Sequence, residues 1–181
     1  MKFNKTKFEG AWIIEPDVYQ DKRGFFLESY IDKWFKEKNI KAKFVQDNHS
    51  KSVSAGVLRG LHYQKPPFAQ AKLVRVTSGA VYDVIVDLRK KSKTYGVWQS
   101  FELTDKNFKM LYIPKGFAHA FCTLQAGTEF LYKVDSYYSP KHDSGIIWND
   151  PTLKITWPIQ EPVLSQKDLK LGFFNDLKSP F

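Results

Sequence analysis

The stretch from residue 80 to residue 88 alternates two kinds of side chain with strict period two. Ala, Tyr, Val, Val and Leu alternate along it with Val, Asp, Ile and Asp, which predicts a β-strand with two distinct faces. The turn residues Thr77-Ser78-Gly79 separate it from the apolar stretch 72–76, which predicts a hairpin. Further short stretches of strand character lie at 57–63, 98–103, 109–113, 117–124 and 129–137. Many short strands in close succession predict an all-β sandwich or barrel.

The rest of the chain adds little regular structure to this picture. Residues 30–39 are the best helix candidate, because apolar side chains recur there at helical spacing. Proline becomes more frequent after residue 150, and no repeat, low-complexity stretch or linker interrupts the chain. We therefore expect one domain over residues 1–181, with short peripheral helices and with residues 151–181 as an irregular C-terminal wrap.

The composition argues against several classes of protein. The net charge is +9, but the lysines are spread along the chain as on an ordinary solvated surface, so we expect no nucleic-acid partner. The positive field would still attract an anionic ligand. No stretch is apolar enough for a membrane helix or a secretory signal, so no membrane partner is expected. Cys122 is the single cysteine and can form no disulfide within the chain, which favours the cytoplasm.

Two motifs that contain histidine resemble the two halves of the cupin sequence pattern. They are Gly56-Val-Leu-Arg-Gly-Leu-His62 and Pro114-Lys-Gly-Phe-Ala-His119. The resemblance implies a double-stranded β-helix, the jelly-roll form of an all-β fold. Gln64, however, stands at the position of a second histidine, and Phe68 and Ala69 stand where a glutamate is usual. Since a catalytic metal site needs about three protein ligands, we expect a cupin-like jelly roll without a metal.

Motifs between and beyond these two make the resemblance more specific. In chain order the motifs are Phe44–Ser50, Gly56–His62, Gln70–Val74, Asp83–Arg89, Ile113–His119, Tyr138–Pro140 and Gly145–Pro151. Together they closely resemble the dTDP-4-dehydrorhamnose 3,5-epimerase family, from about Gly10 to Asp168. Their order and spacing, rather than any one of them, carry the resemblance.

The resemblance implies an isomerase that acts on a nucleotide-linked 4-keto-6-deoxy sugar. It would invert C3 and C5, which flank the ketone, and convert dTDP-4-dehydro-6-deoxy-D-glucose into dTDP-4-dehydro-L-rhamnose. The protons on these carbons are acidic because the carbanion delocalises onto the ketone oxygen. The site must therefore supply a base, an acid on the opposite face and a stabiliser of the enolate oxygen, and no cofactor.

Four alternatives to this interpretation stay open at this point. Within the family, the enzyme could invert C3 alone or C5 alone, or it could act on a related nucleotide-sugar of deoxysugar biosynthesis. Outside the family, a metal-dependent cupin enzyme and a non-catalytic sugar-binding cupin are the competing classes. The substitutions at the metal-ligand positions argue against the former, and the retained candidate catalytic residues argue against the latter.

Each catalytic role has a candidate. His62 is the expected base, since an imidazole has a pKa of about 6.5. By the family's Ser-x-Lys-Asp motif its partner carboxylate is Asp168, with Asp83 as the reserve. By the resemblance Tyr132 is the acid, because a phenol is protonated at neutral pH, and Lys72 stabilises the enolate oxygen.

The resemblance also implies which residues bind the substrate. Arg59 would bind the diphosphate, for which a guanidinium fork is well suited, and His119 would position the sugar or the diphosphate. Arg23 would contact phosphate in the site of a partner subunit, which implies a homodimer with strand exchange. Asp143 stands where the family usually has a glutamate. The other expected binding residues are Phe26, Glu28, Gln46, Asp47, Asn48, Lys72 and Lys167.

Overall fold

The computed structural model describes residues 1–181, and most of its strands form two antiparallel sheets that face each other. In spatial order the first sheet contains β1 (Lys2–Lys5), β2 (Trp12–Glu15), β10 (Met110–Ile113), β7 (Lys72–Ser78), β12 (Thr128–Val134) and β5 (Gln46–Ser52). The second contains β13 (Asp143–Gly145), β6 (Leu58–Gln64), β11 (Phe117–Thr123), β8 (Ala80–Asp87) and β9 (Trp98–Thr104). Strands β3 (Val18–Asp21) and β4 (Gly24–Leu27) form a separate hairpin. The chain crosses repeatedly between the two sheets, and the predicted all-β jelly roll is confirmed.

The alternation along β8 divides its side chains between two hydrophobic layers. Val81 and Ile85 lie in the core between the sheets, together with Phe130 from the first sheet. Val84 points the other way, into a second cluster on the outer face. Asp83 shares the inner face with Val81 and Ile85 and is fully buried. The core therefore contains a carboxylate, which is stable there only when it is paired.

Residues 151–181 cover the outer face of the second sheet. Their regular structure consists of two 3₁₀ turns, Asp168–Lys170 and Phe174–Asp176. Trp157 and Phe181 pack against the outer hydrophobic cluster, and Val163 forms an isolated bridge with Val57 just before β6. This course of the tail brings Asp168 against β6.

The helix predicted over residues 30–39 is shorter in the structure. Helix α1 spans Asp32–Glu37 and packs Phe35 against the outer face of the first sheet. The chain leaves the helix at Asn39, which adopts a left-handed conformation with φ 57°. None of the helices has the length and the apolar composition that a membrane crossing requires.

The predicted central strands agree with β6 to β11 to within one or two residues at each end. Strand β12 ends at Val134 rather than at residue 137, because Asp135 turns its side chain to accept a hydrogen bond from the Ala71 N–H at 2.7 Å. Strand β4 lies within the segment 21–28 that the resemblance implies as the exchanged strand, whereas strands β1, β2, β3, β5 and β13 were not predicted.

Asp87 and Arg89 of the fourth motif have a structural role. Asp87 is fully buried and accepts hydrogen bonds from Arg89 Nε at 2.9 Å, Ser92 Oγ at 2.6 Å and Thr94 Oγ1 at 2.7 Å. Burial by itself would raise the pKa of Asp87, but these hydrogen bonds outweigh it and lower that pKa. The ionised carboxylate therefore holds the loop between β8 and β9 in place.

We expect Asp87→Asn to lower the free energy of unfolding at pH 7 by about 3 kcal/mol, since Arg89 would keep a partly buried charge without its partner. The stabilisation by Asp87 is present above the ordinary aspartate pKa and is lost as the pH falls, so the difference between wild type and variant should shrink in acid. Urea unfolding at several pH values measures this difference in the free energy of unfolding. Asp21→Asn is the matched control, because Asp21 makes the same kind of pair with Arg23 on an exposed hairpin. Equal losses in both variants would contradict the structural role.

Candidate active site

A cavity of about 430 Å³ opens between the two sheets. Six of the predicted residues line it: Arg59, His62 and His119 from the second sheet, Lys72 and Tyr132 from the first, and Asp168 from the tail. The other lining residues are Ser50, Val57, Leu58, Phe121, Phe130, Val163, Leu164 and Ser165. Nowhere in the chain do three or more His, Cys, Asp or Glu side chains form a group that could hold a metal ion.

His62 and Asp168 form a tight pair in this cavity. His62 Nε2 lies 2.5 Å from Asp168 Oδ1, and the Ser165 hydroxyl donates to Asp168 Oδ2 at 2.7 Å. Burial by itself would raise the pKa of Asp168, but the hydrogen bonds from His62 and Ser165 outweigh it and lower that pKa. An ionised Asp168 can only accept, so His62 Nε2 carries a hydrogen, and Nδ1 is free to take a proton.

A bulge in β6 puts two residues that are three positions apart into the same cavity. In a regular strand such residues face opposite sides, yet both Arg59 and His62 line the cavity. Arg59 pairs with Phe121 and His62 pairs with His119 on the partner strand β11. Three residue steps on β6 therefore lie opposite two steps on β11, so β6 has one extra residue there. Gly60 lies inside the bulge with φ +117°, and a Cβ there would lie 2.5 Å from the carbonyl oxygen of His119. Glycine is therefore required at this position.

Tyr132 approaches the cavity from the first sheet, on the side opposite His62. It lies on β12, paired with Val74 of β7. Burial raises the pKa of the Tyr132 phenol, while the charge of Arg59 opposes this shift and that of Asp143 adds to it. The phenol is therefore protonated at neutral pH and can donate a hydrogen into the cavity.

Lys72 is the first residue of β7 and projects into the same cavity from the first sheet. Burial lowers the pKa of Lys72 to about 8, against the opposing charges of Asp83 and Asp143. Its ammonium makes no hydrogen bond and no ion pair within the chain. Lys72 is thus a mostly protonated amine at pH 7 whose donors are all available to a ligand.

The second histidine of the cavity, His119, is paired with Asp83. The distance from His119 Nε2 to Asp83 Oδ2 is 2.8 Å, and both residues are buried. Asp83, the reserve partner for His62, thus belongs to a different pair. Burial lowers the pKa of His119 by more than the charge of Asp83 raises it, so this imidazole is neutral. Its ring stacks on that of Phe130 at 6.1 Å.

Three predicted binding residues lie away from the cavity, on the β3–β4 hairpin or directly after it. Phe26 is 64% exposed, and Arg23 forms its ion pair with Asp21 of the same hairpin. Glu28 follows the last residue of β4 and is exposed. The structure of one chain therefore does not bring these residues together with His62.

Gln46, Asp47 and Asn48 lie on β5, the edge strand of the first sheet. Gln46 Nε2 donates to Asn48 Oδ1 at 2.8 Å. Asp47 and Asn48 line a second cavity of about 270 Å³, which shares Tyr132 with the first. These residues are thus neighbours of the main cavity rather than part of its wall.

Asp143 and Lys167 form an ion pair with each other. Tyr138 donates its phenolic hydrogen to Asp143 at 2.9 Å. Neither Asp143 nor Lys167 lines the main cavity, although Lys167 directly precedes Asp168. The two residues form a charged group next to the dyad of His62 and Asp168.

Ser165, Phe121 and Phe130 also line the cavity but were not predicted as site residues. Ser165 stands three positions before Asp168 and accepts a hydrogen bond from its N–H at 3.1 Å, a local Ser-x-x-Asp pattern that could have indicated this role. Phe121 and Phe130 stand two positions from His119 and Tyr132, so strand alternation places each pair on one face. Their rings stack with centroids 4.1 Å apart.

Comparisons with known proteins agree with this fold. The family whose model matches residues 5–176 is described as dTDP-4-dehydrorhamnose 3,5-epimerase. A protein of that name from Shigella flexneri is 51% identical over 177 residues, which is 97% of each chain. The structure of the Bacillus anthracis enzyme of the same name, with TDP and PPi bound, has a TM-score of 0.94 and 51% identity over 96% of this chain and 99% of that chain. The Legionella pneumophila dTDP-6-deoxy-D-glucose-3,5-epimerase in complex with dTDP-4-keto-L-rhamnose has a TM-score of 0.92 and 45% identity over 96% and 93%, respectively.

We expect Gly60→Ala to lower the free energy of unfolding by about 3 kcal/mol, because it adds both a strained φ and a collision with β11. Gly127→Ala is the matched control, since Gly127 also has a positive φ, +71°, but no atom lies within 4 Å of a Cβ there. That variant should lose only about 1 kcal/mol. Urea unfolding of both variants measures the difference. Equal losses would show that the approach of β6 to β11 does not demand glycine.

Proposed function

The chain belongs to the dTDP-4-dehydrorhamnose 3,5-epimerase family, and we propose that the cavity between its two sheets is the active site. The reaction is the epimerisation of dTDP-4-dehydro-6-deoxy-D-glucose at C3 and C5 to dTDP-4-dehydro-L-rhamnose, so the protein is an isomerase. Each inversion removes one proton from carbon and returns one to the opposite face. The main support for the proposal is that His62 and Tyr132 approach the cavity from opposite sheets.

His62 is the base in this proposal. Its Nδ1 takes the proton from the carbon next to the ketone, and the imidazolium that forms keeps its Nε2–H on Asp168. The ionised Asp168 stabilises that positive charge and fixes the ring orientation. Ser165 in turn holds Asp168 through its hydroxyl at 2.7 Å, so the dyad is ready before the substrate arrives.

Lys72 stabilises the enolate. When the carbon proton leaves, its electron pair moves into the C–C bond next to the ketone and the negative charge develops on the ketone oxygen. A fixed ammonium beside that oxygen lowers the barrier, and it acts most strongly in a site from which water is excluded. The unpaired ammonium of Lys72 and its position on β7 support this role.

Tyr132 returns a proton to the carbon from the other face. Its raised pKa keeps the phenol protonated until the enolate forms, and donation to carbon leaves a phenolate. The charge of Arg59, which opposes the rise in this pKa, makes that phenolate less costly. The C–H bond that forms points away from His62, which is the inversion.

The nucleotide part of the substrate is bound by cationic and polar groups around the cavity. Arg59 faces the cavity three residues before the base and is suited to bind the diphosphate, and His119 positions the sugar or the diphosphate. The further binding residues in this proposal are Gln46, Asp47, Asn48, Asp143 and Lys167, together with Arg23, Phe26 and Glu28 of a partner subunit.

The functional unit in this proposal is a homodimer with strand exchange. The β3–β4 hairpin pairs with neither sheet, and Tyr19, Phe25 and Phe26 on it are 63%, 56% and 64% exposed. So much exposed aromatic surface on one hairpin favours a partner that covers it. The edge strand β5 carries unpaired backbone groups beside the nucleotide-binding residues, which suits the addition of strands from a second copy.

The organisation and location of the enzyme complete the proposal. We propose that residues 1–181 form one domain, which is supported by the packing of the tail on the second sheet and by its contribution of Asp168. We also propose that the enzyme resides in the cytoplasm. The single thiol of Cys122 is buried and unpaired, which suits a reducing compartment.

Proton exchange in deuterated water tests the catalytic roles. With dTDP-4-keto-6-deoxyglucose, the wild-type enzyme should place solvent deuterium at both C3 and C5, as followed by proton NMR. His62→Ala should lower exchange at both carbons by about 10³-fold, because no other base reaches them. Tyr132→Phe should retain exchange but lower the rate of inversion by a similar factor, because the proton returns only from the original face.

Two controls separate these roles from general damage to the fold. His142→Ala and Tyr82→Phe change the same residue types outside the cavity and should exchange like wild type. Retained exchange in His62→Ala would remove His62 as the base. Equal loss of exchange and inversion in Tyr132→Phe would argue for a packing role instead of an acid.

Co-expression of two inactive variants tests the strand exchange. Arg23→Ala damages the hairpin and His62→Ala damages the base, and each should be inactive alone. In a mixed dimer, the intact hairpin of one subunit serves the intact cavity of the other, so random pairing should restore about a quarter of wild-type activity. Arg59→Ala paired with His62→Ala is the control, since both changes lie in the same cavity. No recovery with the first pair, in a protein that is dimeric by light scattering, would show that Arg23 serves its own chain.

A further inference from the structure

Gln64 stands where the cupin pattern has its second histidine, and the proposed reaction gives this residue no role. It lies two positions after His62 on β6, so both side chains are on the same face of that strand. Gln64 does not line the cavity, however, and it is only 4% exposed. A buried amide is stable only when its polar atoms are paired, so the partners of Gln64 indicate what it does.

The amide of Gln64 makes three hydrogen bonds, which use both of its donors and its oxygen. Nε2 donates to the carbonyl oxygens of Phe68 at 2.7 Å and of Tyr137 at 3.1 Å. Oε1 accepts from the Ser139 N–H at 2.6 Å. A carboxamide matches this set of partners, because it offers two donors and an acceptor from one planar group.

Two of these bonds hold the loop between β12 and β13, residues 135–142, which we call the β12–β13 loop. Tyr137 and Tyr138 of this loop are 65% and 55% exposed, so the burial of apolar surface contributes little to its conformation. The bonds to Gln64 come from the residues directly before and directly after Tyr138. A buried side chain therefore fixes the backbone on both sides of an exposed tyrosine.

Tyr138 in turn contacts two of the proposed nucleotide-binding residues. Its N–H donates to Gln46 Oε1 at 3.3 Å, and its phenol donates to Asp143 Oδ2 at 2.9 Å. Gln46 lies on β5 of the first sheet, whereas Asp143 begins β13 of the second. A continuous series of hydrogen bonds thus leads from Gln64, through the β12–β13 loop, to binding residues on both sheets.

We propose that Gln64 is a positioning residue that fixes the β12–β13 loop and, through it, the nucleotide-binding residues Gln46 and Asp143. This inference rests on the nucleotide-binding roles proposed above for those two residues. Contacts with the nucleotide are the same before and during proton transfer at the sugar, so their loss weakens binding of the substrate and of the transition state equally. Loss of Gln64 should therefore change KM rather than kcat.

Gln64→Met tests the inference, because methionine fills a similar space but makes none of the three hydrogen bonds. We expect the KM for the nucleotide-sugar and the Kd for dTDP to rise about tenfold, while kcat stays within about twofold of wild type. Hydrogen exchange followed by mass spectrometry reports on the loop directly. Peptides from the β12–β13 loop should exchange faster in the variant, and peptides from β8 should not.

Gln99→Met is the matched control. Gln99 lies on β9, at the opposite edge of the second sheet from β13, and its Oε1 has no hydrogen-bond partner. This variant should leave loop exchange, the Kd for dTDP and KM unchanged. Unchanged loop exchange in Gln64→Met, or a loss of kcat without a rise in KM, would overturn the inference.

Gln46→Ala separates this inference from the proposed function. If Gln46→Ala weakens dTDP binding and Gln64→Met does not, the inference is overturned and the binding role of Gln46 stands. If Gln64→Met loosens the loop but neither variant weakens dTDP binding, the proposed binding role of Gln46 fails, and the inference fails with it. Weaker binding in both variants, with less than additive losses in the double variant, would support action of Gln64 through the loop on Gln46.

A measurement on the wild-type protein covers the case in which Gln64→Met does not fold. The Ser139 N–H donates to the buried Gln64, whereas the Lys141 N–H in the same loop makes no hydrogen bond with the backbone. Amide exchange followed by NMR should therefore be slower at Ser139 than at Lys141 by about tenfold or more, after correction for intrinsic rates. Equal protection of the two amides would overturn the inference.

Discussion

The packing of the two sheets against each other is the interaction on which the site depends. Phe121 and Phe130, one from each sheet, stack at 4.1 Å and belong both to the apolar core and to the cavity wall. The same pair therefore belongs to an apolar core and to a cavity whose lining includes polar side chains. His62 and Tyr132 are held on opposite walls by the same close packing that stabilises the fold. The placement of His62 and Tyr132 on opposite walls, which the proposed inversion requires, therefore follows from the jelly roll itself.

The two His–Asp pairs of the cavity show how burial separates roles. The His62 side chain is 29% exposed and its partner Asp168 comes from the tail, whereas the His119 side chain is 7% exposed and its partner Asp83 comes from the adjacent strand. The first imidazole can reach a substrate and accept a proton. The second is buried in the wall, where burial lowers its pKa and keeps it neutral. Similar pairs thus differ in what they can do, and the proposed base is the more exposed one.

How far the sequence predicts the structure depends on which face of each strand meets the core. Strand β8 was predicted because its side chains alternate with period two and both of its faces carry apolar residues that are buried. Strand β5 has the sequence Gln-Asp-Asn-His-Ser-Lys-Ser and carries no hydrophobic pattern, since it borders cavities and solvent. The cavity residues could be predicted from their motifs. Asp168 was expected as the partner of His62 from the Ser-x-Lys-Asp motif, although it lies 106 positions away. The pairing of Asp83 with His119, 36 positions apart, was not expected, because no local pattern joins the two residues.

The position of the ketone explains how one set of groups can serve two carbons. C3 and C5 flank the same ketone, so both inversions place the developing charge on one oxygen, and in the proposed mechanism a single Lys72 stabilises both enolates. A base must instead reach each carbon separately, and His119 is unsuited to this role because it is buried and its pKa is lowered by that burial. In the proposed mechanism the sugar therefore shifts between the two inversions, so that each carbon reaches His62 in turn. Between the two inversions, His62 must lose a proton and Tyr132 must regain one. The partial exposure of His62 gives solvent access for this transfer of protons.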